Sequence, residues 1–361
     1  MIDSSTLRRR LGGLFIVGFP STTLDDGLKR LIDEYALGGV ILFDRNIESA
    51  PRLRQLTGEI RKASANPIFI SIDQEGGRVQ RLKSKWGFTD FPTGKRLGEV
   101  CRRREDNAPA FEIGRAMGAE MAAVGIDLDW APVADVHSNP ANTVIGDRAY
   151  GRTHDEVIPV AEAFLKGLNS AGIQGCPKHF PGHGATFGDS HQELPTLDDE
   201  MPDIQRRDLP PFNALLQQAE MVMTGHILIP AVDGEWPVTL SSEWISGYLR
   251  NWLGYSGVVV TDALEMEAIR SAFPLERAAT LALRAGCDML MQAGGYEGVA
   301  EAIDSIVDQI EAGEGNLSAE IIEEAAERVD KLKKNLKFQA SDPLPPTNWP
   351  EHLALVESLD K

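Results

Sequence analysis

The densest chemistry in the sequence lies in the run Lys178-His179-Phe180-Pro181-Gly182-His183-Gly184-Ala185-Thr186-Phe187-Gly188-Asp189-Ser190-His191. Three of the chain's seven histidines fall there, beside a lysine and an aspartate. Packing alone does not explain that concentration. Asp189 and His191 stand two residues apart. In an irregular loop, that spacing lets the carboxylate accept a hydrogen bond from the imidazole. The bond fixes the tautomer and favours the protonated ring, so His191 can donate a proton near neutral pH. His179 and His183 also admit a plainer reading, as loop scaffolding through backbone hydrogen bonds.

A second signal is Asp262, directly after the apolar run Val258-Val259-Val260-Thr261. In a barrel, a residue so placed sits at the C-terminal face, where catalytic groups gather. Taken alone it could equally cap the next helix. A third signal is Asp73-Gln74-Glu75-Gly76-Gly77-Arg78-Val79-Gln80-Arg81. A carboxylate there can accept two hydroxyl hydrogen bonds at once, which suits a sugar. The alternative is a loop-holding ion pair that engages Glu75 and Arg78. Asp147-Arg148 and Met223-Thr224-Gly225-His226 follow two further apolar runs.

Such groups need an architecture that gathers several strand ends. Short apolar runs alternate with longer amphipathic ones, the pattern of repeated βα units around a parallel sheet. Eight runs read as strands: 14–19, 39–43, 68–72, 126–134, 173–178, 221–225, 257–261 and 288–292. Helical spacing marks 108–124, 157–168, 242–253, 275–285, 299–310 and 316–337. The pattern predicts an α/β fold, a single-domain TIM (β/α)8 barrel over residues 1–337 with a C-terminal helix. A doubly wound open sheet is the competitor. Against it, no GxGxxG or Walker pattern follows a strand. Residues 338–361, with Pro343, Pro345 and Pro346, read as a tail draped on the surface or partly disordered.

The bulk properties narrow the partners. The net charge is −18, so phosphate backbones and anionic lipid are repelled; neither nucleic acid nor membrane is expected as a partner. The three scattered cysteines, Cys101, Cys176 and Cys287, form no CxxC pair and fit a reducing compartment. Arg8, Arg9 and Arg10 before residues 11–19 mimic a signal peptide, but glycines and Pro20 break the apolar run. That run reads as a first buried strand, and the expected location is the cytoplasm, with the protein a monomer.

Together, Asp73-Gln74-Glu75-Gly76-Gly77-Arg78-Val79, Lys178-His179-Phe180-Pro181-Gly182-His183-Gly184, Asp189-Ser190-His191 and Thr261-Asp262-Ala263-Leu264 resemble glycoside hydrolase family 3. The resemblance runs over residues 11–337. The Asp-Ser-His element and the single-domain length are similar to its β-N-acetylhexosaminidase branch. What this resemblance implies is a TIM barrel, no metal or organic cofactor, and a reaction that retains anomeric configuration through a covalent glycosyl-enzyme. It implies Asp262 as nucleophile and His191, partnered by Asp189, as acid/base. Asp73, Arg81, Arg148, Lys178 and His179 match positions that hold sugar hydroxyls. The implied substrate is a terminal β-linked N-acetylglucosamine, on a muropeptide in cell-wall recycling or on another oligosaccharide. Ala263 stands where many relatives carry a second acid.

Most retaining glycosidases use two carboxylates about 5 Å apart. A histidine in place of one leaves a neutral imidazole after proton donation, which does not repel an incoming anion. Phosphorolysis is therefore an alternative to hydrolysis. A β-glucosidase or β-xylosidase is another, although larger relatives with those activities draw the acid/base from a second domain. A metal-dependent hydrolase would want an HxH pair from an early strand, which is missing here. Attack by the substrate's own 2-acetamido group would want an adjacent acid pair after a strand. A barrel that only binds sugar would not need Asp189, His191 and Asp262 intact. Gly182, Gly184 and Gly188 suggest a loop that closes on substrate.

Overall fold

Eight short parallel strands, buried along nearly all their length, wind into a barrel in this computed structural model, which describes residues 3–188, 193–314, 317–335 and 349–361. They are β1 (Phe15–Val17), β2 (Gly39–Leu42), β3 (Phe69–Ile72), β4 (Leu128–Asp129), β5 (Gln174–Gly175), β6 (Met221–Met223), β7 (Val258–Ala263) and β8 (Met289–Gln292). Seven of the eight predicted runs contain their strand, and the run 257–261 overlaps β7, which continues to Ala263. The order across the sheet is β5-β4-β3-β2-β1-β8-β7-β6. The two ends meet beyond the regular ladder. Phe180 N donates to Met223 O at 2.8 Å, and Met223 N donates to Pro177 O at 3.0 Å. The chain is thus a TIM barrel. Most of its strands, the short β4 and β5 excepted, are nearly continuous in apolar residues because helices cover the outside and side chains fill the inside.

The helices lie outside, where amphipathic spacing puts them. Leu275–Ala285 has its predicted bounds and ends at Gly286, whose φ of 111° continues the chain in a left-handed turn. Glu243–Trp252 differs from an ordinary helix. Gly247 N bonds Ser242 O and Leu253 N bonds Tyr248 O, both at 2.9 Å, so its turns are wider, in the π manner. The run 11–19, expected as one strand, is divided. Asp3 caps a helix, Ser4–Gly12, by accepting from Thr6 N at 3.0 Å. Leu7 and Leu11 bury one face of that helix, and the strand starts only at Phe15. A local apolar run does not reveal that its first residues belong to a helix capped upstream. Among the described residues, no helix is long and apolar enough to cross a membrane.

The tail carries a helix, Pro350–Ser358, packed on the helix Ala108–Ala123. Trp349 stacks on His352, whose Nδ1 lies 2.8 Å from Glu120 Oε1. Glu120 is fully buried, and its other oxygen accepts from Thr89 N at 3.0 Å. Arg103 and Arg104 donate to the carbonyls of Leu359 and Ser358 at 2.7 and 2.6 Å. Replacing His352 with alanine leaves the Glu120 carboxylate buried opposite a single N–H. We expect a loss of about 2 kcal/mol, read as a lower urea midpoint. An unchanged midpoint would show that the pair adds nothing to stability.

Candidate active site

The strand ends converge on a cavity of about 740 Å3 at the C-terminal face of the barrel. Asp73 follows β3, Lys178 and His179 extend β5, and Asp262 lies in β7. Each of these lines the cavity, as do Arg81 and Arg148. A parallel barrel places residues after strands at one rim, so residues distant in sequence share one site.

One wall is an ion network. Lys178 Nζ lies 2.7 Å from both Asp73 Oδ1 and Glu75 Oε1. Arg148 grips Glu75 with Nε and Nη2, each at 2.8 Å, the bidentate geometry of a strong pair. Arg81 Nη2 reaches Asp73 Oδ2 at 3.4 Å and stacks its guanidinium over the Phe43 ring. Burial opposes the charge on Glu75, but Arg148 and Lys178 outweigh it and hold its carboxyl well below the ordinary carboxylate range. Burial likewise opposes the Lys178 ammonium, while Asp73 and Glu75 hold it above the ordinary lysine range. The Glu75–Arg148 pair is the loop-holding ion pair foreseen as an alternative, but the arginine is Arg148. Arg78 instead holds Asp147 at 2.8 Å and the carbonyls of residues 143–145.

Glu75→Gln keeps the shape but leaves two buried cations short of a counter-charge. We expect a loss of about 3 kcal/mol in stability, together with weaker sugar binding. Chemical denaturation and KM measure the two separately. Equal stability would mean that the network relaxes freely.

The histidines form a second wall. His179 Nδ1 lies 2.7 Å from Asp135 Oδ2, and its Nε2 lies 3.4 Å from Arg148 Nη2. Asp135 Oδ1 accepts the backbone N–H groups of His179 and His183, at 3.2 and 2.6 Å. Burial would raise the Asp135 carboxyl, yet the imidazoles of His179 and His183 and the His183 N–H keep it below its ordinary value. Burial and the neighbouring His179 push His183 down to about 4. His183 therefore stays neutral near pH 7, with Thr186 Oγ1 at 2.9 Å from its Nδ1.

Asp262 sits below these walls. Its Oδ1 accepts from Ala263 N at 2.8 Å. Burial would raise its carboxyl, but the imidazoles of His179 and His226, the Ala263 N–H and Lys178 draw it below the ordinary value. It is a carboxylate at neutral pH, half-shielded and facing the cavity. His226 is held in place by Thr239 Oγ1 at 2.8 Å and Ala263 O at 3.0 Å.

Such a carboxylate, with a ring of paired charges that fits sugar hydroxyls, suits glycoside chemistry. The sequence profile of the glycosyl hydrolase family 3 N terminal domain matches residues 6–332. The chain belongs to glycosyl hydrolase family 3. A beta-hexosaminidase of Idiomarina loihiensis is 36% identical over 290 residues, covering 80% of this chain and 86% of that protein. The solved family 3 β-N-acetylglucosaminidase of Paenibacillus sp. FPU-7 is 36% identical, with a TM-score of 0.90, over 98% of this chain and 68% of that one. NagZ from Neisseria gonorrhoeae, solved in complex with N-trifluoroacetyl-D-glucosamine, is 29% identical, with a TM-score of 0.79, over 97% and 98% of the two chains.

Within this family 3 barrel, Asp73, Arg81, Arg148, Lys178, His179 and Asp262 share one cavity, whereas Asp189 and His191 lie outside the described residues. The segment flanking that pair is anchored on both sides. Phe187 pairs with Thr196, and Thr196 pairs in turn with Leu228. Gly184 is demanded by packing, since a Cβ there would meet Val136 O at 1.9 Å. Asp135 went unremarked in the sequence reading, although the rule that singled out Asp262 applies to it too: a carboxylate directly after an apolar run. Glu265 was also missed. It lines the cavity three residues past Asp262, with Oε1 on Gly294 N and Oε2 buried without a partner among the described residues. Burial pushes its carboxyl up, and Asp262 adds to that.

Proposed function

We propose that this family 3 chain is a retaining exo-β-N-acetylglucosaminidase that removes terminal β-linked N-acetylglucosamine. The observation that carries the reading is Asp262: an ionised carboxylate at the base of a cavity whose wall is the Asp73–Lys178–Glu75–Arg148 network. The relatives named beta-hexosaminidase and β-N-acetylglucosaminidase support the choice of sugar.

In this reading, Asp73, Arg81, Arg148, Lys178 and His179 hold the sugar's hydroxyls. Their mutual ion pairs fix their positions before substrate arrives, which lowers the cost of orientation. One oxygen of Asp262 attacks the anomeric carbon from the α face. The glycosidic oxygen leaves with a proton from His191, which Asp189 orients. The sugar is then an ester of Asp262. Water enters from the β face, gives a proton to the neutral His191 and releases the sugar with its configuration retained.

A muropeptide is the proposed natural substrate, and the cytoplasm the proposed location, with the protein acting as a monomer. Three buried free cysteines support a reducing compartment. The test compares nitrophenol release from 4-nitrophenyl N-acetyl-β-glucosaminide and from the matching β-glucoside. Preference for the first is expected. Faster cleavage of the glucoside would move the assignment to a β-glucosidase. No release from either would remove the glycosidase reading.

A further inference from the structure

A second cavity, of about 470 Å3, lies at the opposite end of the barrel. Gly13 and Leu14 before β1, Ala36 before β2, and Asn66 and Pro67 before β3 line it, so it opens at the N-terminal face. The helices Ser4–Gly12 and Ala319–Asn335 form its sides. Its charged lining is Arg9, Arg10, Lys333 and Lys334 against Asp330. Four cations to one acid reverse the sign of a chain whose net charge is −18.

Lys333 sets the character of the place. The residue is 7% exposed, and its Nζ stands 5.1 Å from the centre of the Phe69 ring. Among the described residues, no acceptor pairs with that ammonium. The nearby acids are already committed: Arg10 holds Asp330 at 2.8 Å and Glu323 at 3.1 Å. Burial pushes the Lys333 ammonium down to about 8, and Asp330 offsets only part of that. An ammonium has three donors to satisfy; the Lys333 stem is buried while its Nζ still reaches the cavity, so those donors are open to a bound acceptor. A cation–π contact with Phe69 meets one side only.

We propose that this cavity binds a small soluble oxyanion of the phosphate type, such as a phosphomonoester. Lys333 Nζ forms its floor, and Arg9 and Lys334 form its rim. Arg9 has already given Nη1 to the Asp33 carbonyl, at 2.8 Å, which fixes its guanidinium at the mouth. A recessed amine is out of reach of a flat lipid surface but open to a free anion. The bound anion ties the first helix and the helix Ala319–Asn335 to the barrel, at the end remote from Asp262.

The test is thermal unfolding of the full chain in inorganic phosphate against sodium chloride at matched ionic strength. The wild type is expected to gain roughly 2 °C, saturably, once phosphate exceeds its Kd about tenfold. Lys333→Met is expected to lose that gain while releasing sugar at the wild-type rate. If Lys333→Met does not fold, Arg9→Gln at the rim replaces it and is expected to lose at least half the gain. A gain arising instead at Lys178 and Arg148 would survive both substitutions and overturn the proposal. So would a wild type that responds no more to phosphate than to chloride.

Discussion

Asp262→Ala is expected to lower kcat on 4-nitrophenyl N-acetyl-β-glucosaminide on the order of 10^4-fold or more, with the protein still folded. The size follows from the role. Without the carboxylate no glycosyl ester forms at this position, and the adjacent Ala263 and Leu264 are apolar and supply no substitute. Folding is spared because, among the described residues, the Asp262 side chain accepts the Ala263 N–H alone and shares in none of the tight ion pairs of the opposite wall. Azide separates loss of the nucleophile from general damage. A small anion entering the space left on the α face displaces the aglycone directly and yields the α-glycosyl azide. Formation of that inverted product identifies Asp262 as the missing nucleophile. Activity within tenfold of wild type would return the role to another group, with Glu265 and its buried unpaired oxygen first in line.

The second large effect is expected at His191. His191→Ala should lower kcat/KM on a sugar aglycone by about 10^2 to 10^4-fold, the range for a positioned general acid. The same variant should be little affected in kcat/KM on a 2,4-dinitrophenyl glycoside, whose leaving group departs as a stable anion without a proton. Water attack then becomes the slow step, so the glycosyl-enzyme accumulates and KM falls. Azide now meets the ester of Asp262 from the β face and gives the β-glycosyl azide, the opposite anomer to that from Asp262→Ala. Equal losses on both substrates would show that His191 shapes the loop and does not donate the proton.

Much of the fold was legible because its signal is local. A strand buried on both faces must be nearly continuous in apolar residues, as Val258 to Val260 are, and such runs are visible one at a time. Eight such runs alternating with helices leave a closed barrel and a doubly wound open sheet, and the lack of a GxGxxG or Walker pattern after any strand favours the barrel. The residue after each run is then at the rim without further information. That is why Asp73, Lys178, His179 and Asp262 could be named from sequence and why they share a cavity.

Partner choice was not legible. Glu75 pairs with Arg148, 73 positions away, and not with Arg78 three positions on. His179 takes its orientation from Asp135, 44 positions before it. Neither pairing leaves a periodic trace, because each depends on which loops meet across the barrel mouth. The docked helix Pro350–Ser358 was hidden for the same reason: a short segment gains its order from the buried Glu120 and from Arg103 and Arg104. The sequence by itself determined the strands, several of the helices that cover them and the chemical types at the rim, since these follow from spacing along the chain. Only the tertiary structure decided which charges neutralise one another, because Coulomb energy and burial depend on distances in space. Asp73 and Glu75 keep Lys178 charged, and the nearness of His179, His226 and Lys178 keeps Asp262 ionised.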